Sequence, residues 1–332
     1  MSGRKSYIIA EAGVNHNGSL AEAKKLIEAA AKTGADAVKF QTFTVEKNYN
    51  KKSTDPKKLE WAKSLEITNE ELFEIIDYCK EQKITFLSTP FDVPSAELLY
   101  EKGMSAYKIA SPELCNFRLL RSVAEKGLPL YLSVGMATPE EIELALNIVN
   151  ESWKEGKADI TLLYCVSLYP APYDCHDMRM IPHLKEKYGV SAGFSDHSLG
   201  IELSVASAAL GATVIEKHFK LSPDHDCPDA PVSLDPVEFE KMVTSIRNVE
   251  ASIGMGDFKL SAEEEKSRDL LRKGLYATVD LVEGAVITED DIVFEKPAGG
   301  IGIENFFQLV GSKLENGIQS GEIFTKEHIG KK

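Results

Sequence analysis

The chain has 332 residues, 43% of them apolar and 27% charged, with a formal charge of −14. That length and balance describe a globular protein with a sizeable core and room for more than one domain. The acidic sum disfavours nucleic acid, which needs a basic surface, but not an anionic small molecule, which senses only its pocket.

The polar opening Met1-Ser2-Gly3-Arg4-Lys5 leads straight into an apolar strand pattern. No signal-peptide core follows it, and no stretch approaches membrane-spanning length. Cys79, Cys115, Cys165, Cys175 and Cys227 form no CxxC pair, and their odd number and wide spacing suit reduced thiols. A cytoplasmic protein with no membrane or nucleic-acid partner is expected.

In chain order, a strand at 7–11 precedes a helix at 20–32, and a strand at 37–41 precedes a lysine-rich stretch, 42–68, read as a loop or partial helix. A helix at 69–81 follows, then strand 85–88, helix 94–102, strand 106–110, helix 115–126, strand 130–134 and helix 139–152. Strand 160–165, helix 178–188, strand 190–194, helix 201–210 and strand 213–216 complete eight units, and a helix at 236–253 ends the series. Apolar residues at three- and four-residue spacing support the helices. Thr138-Pro139-Glu140-Glu141 reads as a capped start with proline in the first turn. Eight alternating units favour a (β/α)₈ TIM barrel over an open doubly wound sheet, and no GxGxxG follows the first strand. The barrel is assigned to 1–255, a charged linker to 256–273 and a small β-rich domain to 274–332.

In such a barrel the reaction centre forms at the C-terminal strand ends. Those ends carry Glu11, Asn15, His16, Lys39, Gln41, Ser88, Thr89, Lys108, Ser111, Glu113, Ser133, Ser167, Tyr169, Ser195, Asp196, His197, Glu216, Lys217 and His218. A lone lysine in a strand could simply snorkel; polar groups at almost every strand end make a shared structural explanation weak. His197 and His218 end consecutive strands and suit a metal pair, with Glu11 able to add an oxygen; imidazole with carboxylate fits Mn²⁺, Zn²⁺ or Fe²⁺. One histidine acting as a general acid or base is the alternative. Lys39 and Lys108 point to the same mouth and, with the serines, suit a phosphate or carboxylate. Either lysine could instead form a Schiff base, as in an aldolase. His176, His183, His225 and His328 read as ordinary loop or surface residues.

The motifs Ile9-Ala10-Glu11-Ala12-Gly13-Val14-Asn15-His16-Asn17-Gly18, Ala37-Val38-Lys39-Phe40-Gln41, Leu87-Ser88-Thr89-Pro90-Phe91-Asp92, Tyr107-Lys108-Ile109-Ala110-Ser111, Ser133-Val134-Gly135-Met136, Tyr169-Pro170-Ala171-Pro172, Gly193-Phe194-Ser195-Asp196-His197-Ser198 and Ile215-Glu216-Lys217-His218-Phe219 together resemble the sialic acid synthase family. The tail resembles the small antifreeze-like (SAF) domain that follows this barrel. The resemblance implies an enzyme condensing phosphoenolpyruvate with an N-acylated amino sugar, either N-acetylmannosamine-like or a diacetamido-hexose, with C–O cleavage and release of phosphate. It implies that His197 and His218 hold a divalent metal, usually manganese, with magnesium or cobalt as substitutes. It places Lys39, Thr89, Lys108, Ser111, Ser133, Ser167 and Ser195 around phosphoenolpyruvate, Glu11 and Glu113 at the reacting centre, and Gln41, Phe91, Tyr169 and Asp229 near the sugar. It also implies a domain-swapped homodimer in which Lys296 of the small domain completes the sugar edge.

Two departures concern the sugar. Where relatives carry Asp-His-Lys-Ala-Ser, this chain has Asp229-Ala230-Pro231-Val232-Ser233, somewhat closer to the Asp-Ser-Ala-Phe-Ser of pseudaminic acid synthases. Where they carry Lys-Arg-Pro-Gly, it has Glu295-Lys296-Pro297-Ala298, so a lysine replaces the planar arginine fork. Against that, the first strand's motif and Ser88-Thr89-Pro90 are closer to the sialic and legionaminic branches. Pseudaminic acid synthase is the alternative within the family; a lysine Schiff-base aldolase and a non-catalytic sugar-binding protein are the alternatives outside it.

Overall fold

A computed structural model describes residues 5–254 and 256–329. The polar opening 1–4, residue 255 at the expected domain boundary, and 330–332 at the end of the tail lie outside the described residues. Two compact units divide the chain, Met1–Gly254 and Met255–Lys332.

The first unit is built on eight strands, β1 (Tyr7–Gly13), β2 (Ala37–Thr42), β3 (Thr85–Pro90), β4 (Tyr107–Ile109), β5 (Leu130–Ser133), β6 (Ile160–Cys165), β7 (Ser191–Asp196) and β8 (Val214–His218). Their hydrogen-bonded order is β3-β2-β1-β8-β7-β6-β5-β4. All the pairings are parallel, and β3 and β4, at the two ends of that order, lie side by side. The result is a nearly closed barrel of the expected (β/α)₈ type. Both β7 and β8 run two residues beyond the apolar pattern, to Asp196 and His218. The ladder carries them there, through the register pairs Asp196↔Lys217 and Glu11↔His218. Pairing, not hydrophobicity, sets where a strand ends.

The helices are α1 (Leu20–Lys32), α2 (Val45–Asn48), α3 (Pro56–Ser64), α4 (Asn69–Glu81), α5 (Val93–Glu101), α6 (Phe117–Ala124), α7 (Pro139–Ser152), α8 (Met180–Tyr188), α9 (Glu202–Ala209) and α10 (Pro236–Ser252). Reciprocal capping boxes start α4 at Thr68 and Glu71, α7 at Thr138 and Glu141, and α10 at Asp235 and Glu238. The helix expected from 115 starts later because Asn116 caps it, its side chain accepting from the Leu119 amide at 3.2 Å. The lysine-rich stretch contains α2 and α3. Among the described residues no helix is long and apolar enough to cross a membrane.

Strand alternation sorts side chains into two shells. Ile9, Ala37, Leu87, Ala106, Leu163 and Val214 fill the barrel interior, while Ile8, Val38, Leu132, Phe194 and Ile215 pack outward against the helices. Two residues after Ile9, Ala37 and Val214, on the same inward faces, come Glu11, Lys39 and Glu216. The apolar layer is therefore the floor on which a charged layer rests.

In the second unit α11 (Ala262–Leu271) occupies much of the stretch read as a linker, and β9 (Gly274–Ala277) pairs antiparallel with β10 (Ile292–Glu295). Isolated bridges such as Leu281↔Ile318 and Val286↔Lys313 extend the β-character. Leu275, Ala277, Ile287, Ile301, Leu309, Leu314, Ile318 and Phe324 form a core of the unit's own.

Candidate active site

The C-terminal strand ends enclose a cavity of about 240 Å³, below the roughly 300–1,000 Å³ of drug-sized sites and suited to a compact polar ligand. It is lined by Glu11, Lys39, Gln41, Thr89, Lys108, Ser111, Ser133, Ser167, Tyr169, Ser195, His197, Glu216 and His218, with Cys165 and Met136 among them. A larger concavity, about 830 Å³, opens beside Ser6, Asp159, Ser191 and Thr213, near the N-terminal ends of β1 and β6–β8. It holds none of the strand-end constellation, so size does not mark the chemistry here.

The centre of the small cavity is a buried ionic cluster. Lys39 Nζ lies 2.7 Å from Glu11 Oε2 and 3.8 Å from Glu216 Oε2, and Lys108 Nζ lies 3.4 Å from Glu216 Oε1. Lys39 also donates to Thr89 Oγ1 at 2.9 Å, and Ser195 Oγ donates to Glu216 Oε1 at 2.9 Å. All four charged side chains are at least 96% buried. Such groups are costly to desolvate, so they mark a working site more readily than a stabilising one. Burial pushes the Glu11 carboxyl up, and the Glu216 charge adds to that against the pull of Lys39. Glu216 resists its own burial because Lys108 and Lys39 flank it, and its pKa falls to about 2. Burial draws Lys108 down, whereas Lys39 is held up against burial by Glu11 and Glu216.

Beside the lysines is a ring of small polar groups. Ser111 Oγ accepts from the Gly135 amide at 3.0 Å and lies 3.3 Å from Cys165 Sγ. A side chain at Gly135 would strike Ser167 Oγ at 2.4 Å, Cys165 Sγ at 2.6 Å and Ser111 Oγ at 2.8 Å. Glycine is therefore required for the hydroxyls to converge. Met136 next to it has a left-handed backbone, φ 62°, the kind of local strain that collects at functional loops.

The opposite wall is imidazole. His197 and His218 have ring centroids 5.4 Å apart, and Tyr169 stacks on His197 at 4.2 Å. His197 Nδ1 donates to the Val166 carbonyl at 2.8 Å, which leaves the Nε2 lone pair on the cavity side, 3.1 Å from the Tyr169 hydroxyl. Burial, with His218 nearby, lowers the His197 pKa to about 4. His218 Nδ1 faces Asp229 Oδ2 at 3.3 Å; burial opposes its charging, but Asp229, Glu11 and Glu216 outweigh that and raise it. Among the described residues no three His, Cys, Asp or Glu side chains are arranged to hold a metal ion by themselves. The protein thus offers two imidazoles, a neutral one at His197 and His218 with Asp229 as its acidic neighbour, and this nitrogen-and-carboxylate set fits a borderline divalent ion.

Of the buried polar atoms in residues lining this cavity, Glu11 Oε2 is met by Lys39 and His218 Nδ1 faces Asp229, whereas Ser133 Oγ and Glu216 Oε2 have no hydrogen-bond partner among the described residues. Each such unmet group costs about 1–3 kcal/mol unless something satisfies it, as a polar ligand would.

Not every residue named from the sequence is in the lining. Glu113 accepts from Asn116 Nδ2 at 2.7 Å outside it, and Phe91 packs edge-on with Phe43 at 6.0 Å. Asp229 reaches the rim through His218, and Lys296 belongs to the second unit, at the end of β10. Conversely, Glu216 was only one of many polar strand ends, yet it bridges both lysines; its place two residues before His218, on the same inward face, was the available signal. His176, read as ordinary, packs edge-on against the stacked pair Tyr164 and Phe194 with both ring nitrogens buried and without a hydrogen bond among the described residues.

Comparison with known proteins agrees with this arrangement. The chain is 39% identical over 332 residues to the N,N'-diacetyllegionaminic acid synthase of Campylobacter jejuni, covering 96% of this chain and 99% of that one. It is 38% identical to the enzyme of the same name from Legionella pneumophila, over 97% and 94% of the two chains. The crystal structure of N-acetylneuraminic acid (sialic acid) synthetase from Leptospira borgpetersenii in complex with citrate superposes with a TM-score of 0.74 at 35% identity, covering 79% of this chain and 90% of that one. Residues 26–258 match the NeuB family, and the chain belongs to it.

Proposed function

We propose that this chain is a nonulosonic acid synthase that joins phosphoenolpyruvate to an N-acylated amino sugar and releases phosphate. The observation that carries the reading is the pair of buried lysines set among Ser111, Ser133, Ser167, Ser195 and Thr89, a cradle for a small multiply charged anion. In the reaction, carbon three of phosphoenolpyruvate attacks the sugar aldehyde carbon, water adds at carbon two, and the tetrahedral adduct loses phosphate by C–O cleavage. Lys39 and Lys108, with the hydroxyls, hold the phosphate and carboxylate while positive character develops at carbon two. Glu11 and Glu216 face that centre and are placed to offset the charge and move the water's proton. Glu113, expected at the reacting centre, lies outside the lining and is hydrogen-bonded to Asn116, so no step is assigned to it.

His197 and His218 would hold the divalent metal, manganese with magnesium or cobalt as substitutes. Bound there, it would polarise the sugar aldehyde. Tyr169, Gln41 and Asp229 then form the acceptor edge. Relatives named for N,N'-diacetyllegionaminic acid support a diacetamido-hexose acceptor, and Lys296 is tested as a contributor by Lys296→Ala. A homodimer is expected in sedimentation.

The test is phosphate release with phosphoenolpyruvate, Mn²⁺ and a panel of N-acetylmannosamine and manno-, gluco- and altro-configured diacetamido sugars. Release that requires a sugar supports the reading; none with any sugar sinks it. An adduct with pyruvate trapped by borohydride on Lys39 or Lys108 would replace it with a Schiff-base aldolase.

A further inference from the structure

Asn15 has no counterpart in the chemistry assigned so far, yet it is fully buried and every polar atom of its side chain is engaged. Its Nδ2 donates to the Phe219 carbonyl at 2.9 Å and to Ser233 Oγ at 3.0 Å, and its Oδ1 accepts from the Asp229 amide at 2.9 Å. Ser233 Oγ in turn donates to the Asp229 carbonyl at 2.7 Å. The pattern fixes the amide's orientation, because a flipped side chain would set its NH₂ against the Asp229 N–H.

These bonds clasp both ends and the middle of one long loop. The chain leaves β8 at Phe219 and returns beside it at Leu234, where the two residues form a parallel bridge. Between them Asp229 turns back to the barrel mouth. Its Oδ2 stands 3.3 Å from His218 Nδ1. A side chain at Gly13 would meet that same oxygen at 3.3 Å, Glu11 Oε1 at 3.3 Å and Gln41 Nε2 at 3.4 Å. Asp229 therefore sits against β1 beside Gln41, on the edge away from the serines of β5–β7, and one amide on the β1 loop sets its backbone.

We propose that Asn15 is a positioning residue for the acceptor sugar, acting by holding Asp229 at the rim. This rests on the synthase reading above. It adds that acceptor and phosphoenolpyruvate binding are separable, because the Asn15 side chain bonds only Phe219, Ser233 and Asp229 and none of Lys39, Lys108, Ser111, Ser133, Ser167 or Ser195. Asn15→Ala leaves the Asp229 N–H without its acceptor and Ser233 Oγ and the Phe219 carbonyl each short of a donor.

The experiment measures phosphate release with the best acceptor of the panel, for wild type, Asn15→Ala, Ser233→Ala, Asp229→Ala and the Asn15→Ala/Asp229→Ala double variant. For Asn15→Ala the acceptor KM should rise about tenfold, the scale of losing the displaced Asp229 carboxylate's charge-assisted hydrogen bond to the sugar. The phosphoenolpyruvate KM should move less than about twofold on the same scale. Ser233→Ala should shift acceptor KM the same way by about threefold, and should carry the test if Asn15→Ala does not fold. In the Asp229→Ala background, Asn15→Ala should add little, since coupled residues are not additive. Equal changes in both KM values, additive effects of Asn15→Ala and Asp229→Ala, or an unmoved acceptor KM in Ser233→Ala would overturn the assignment. A wild-type protein that releases no phosphate at all fails the synthase reading instead.

Discussion

Gly135→Ala puts a single methyl group into the anion cradle. The added carbon would fall 2.4 Å from Ser167 Oγ, 2.6 Å from Cys165 Sγ and 2.8 Å from Ser111 Oγ, all inside contact distance. The Gly135 backbone is not left-handed, so alanine brings no dihedral strain, and a stiffer unfolded chain offsets part of the crowding. The two hydroxyls and the thiol yield by rotating, so the net stability change should stay within about 1 kcal/mol. Rotation, however, takes Ser111 and Ser167 away from the positions in which they converge. A hydrogen bond to a charged group contributes about 1.5–3 kcal/mol, so losing one should cut kcat/KM for phosphoenolpyruvate roughly 10- to 150-fold. Urea unfolding and steady-state phosphate release, run on the same preparation, separate the two effects. A Gly135→Ala enzyme within twofold of wild type in kcat/KM would refute the cradle.

Lys39→Met leaves Glu11 and Glu216 facing each other without their shared cation, and should cost about 3–5 kcal/mol in urea unfolding; a loss under 1 kcal/mol would mean the cluster is solvated. Removing divalent ions with EDTA should abolish phosphate release, with Mn²⁺ restoring it, and His197→Ala should weaken Mn²⁺ binding followed by electron paramagnetic resonance; undiminished activity after chelation would rule the metal edge out. Burial keeps the His16 imidazole neutral and lowers its pKa from 6.5 to about 4, against the pull of Glu22 and Glu71. Between those values the unfolded chain takes up a proton that the folded chain refuses. His16 therefore costs stability as pH falls from 6.5, by about 3 kcal/mol in total by pH 4. His16→Asn, which keeps an acceptor for the Gly18 amide that now donates to Nδ1 at 3.0 Å, should show a shallower fall in stability over that window, and an unchanged slope would contradict it.

The alternation of strands and helices, their caps and the polar residues at the strand ends were all legible in the chain, because they are local. A Thr-Pro-Glu-Glu start or a period-two apolar run carries its own geometry. What a local pattern lacks is direction. Glu113 and Phe91 follow strand ends just as Ser111 and Thr89 do, but a side-chain hydrogen bond from Asn116 and a ring contact with Phe43 keep them out of the cavity lining. Asn15 was legible only as a hydrogen-bonding group, because its three partners lie more than 200 positions away.

By itself, then, the sequence determined the eight-unit barrel, the charged and hydroxylic character of its mouth, and the family to which the motifs belong. Tertiary structure decided how those groups divide the work. Barrel closure puts β1 beside β8 and stacks Glu11, Lys39 and Glu216 above an apolar floor. Only there do burial and opposite charge act together, raising the pKa of one carboxyl, Glu11, and depressing that of the other, Glu216. Ionisation depends on desolvation and on neighbours from other strands, and neither is a property of any stretch of chain read alone.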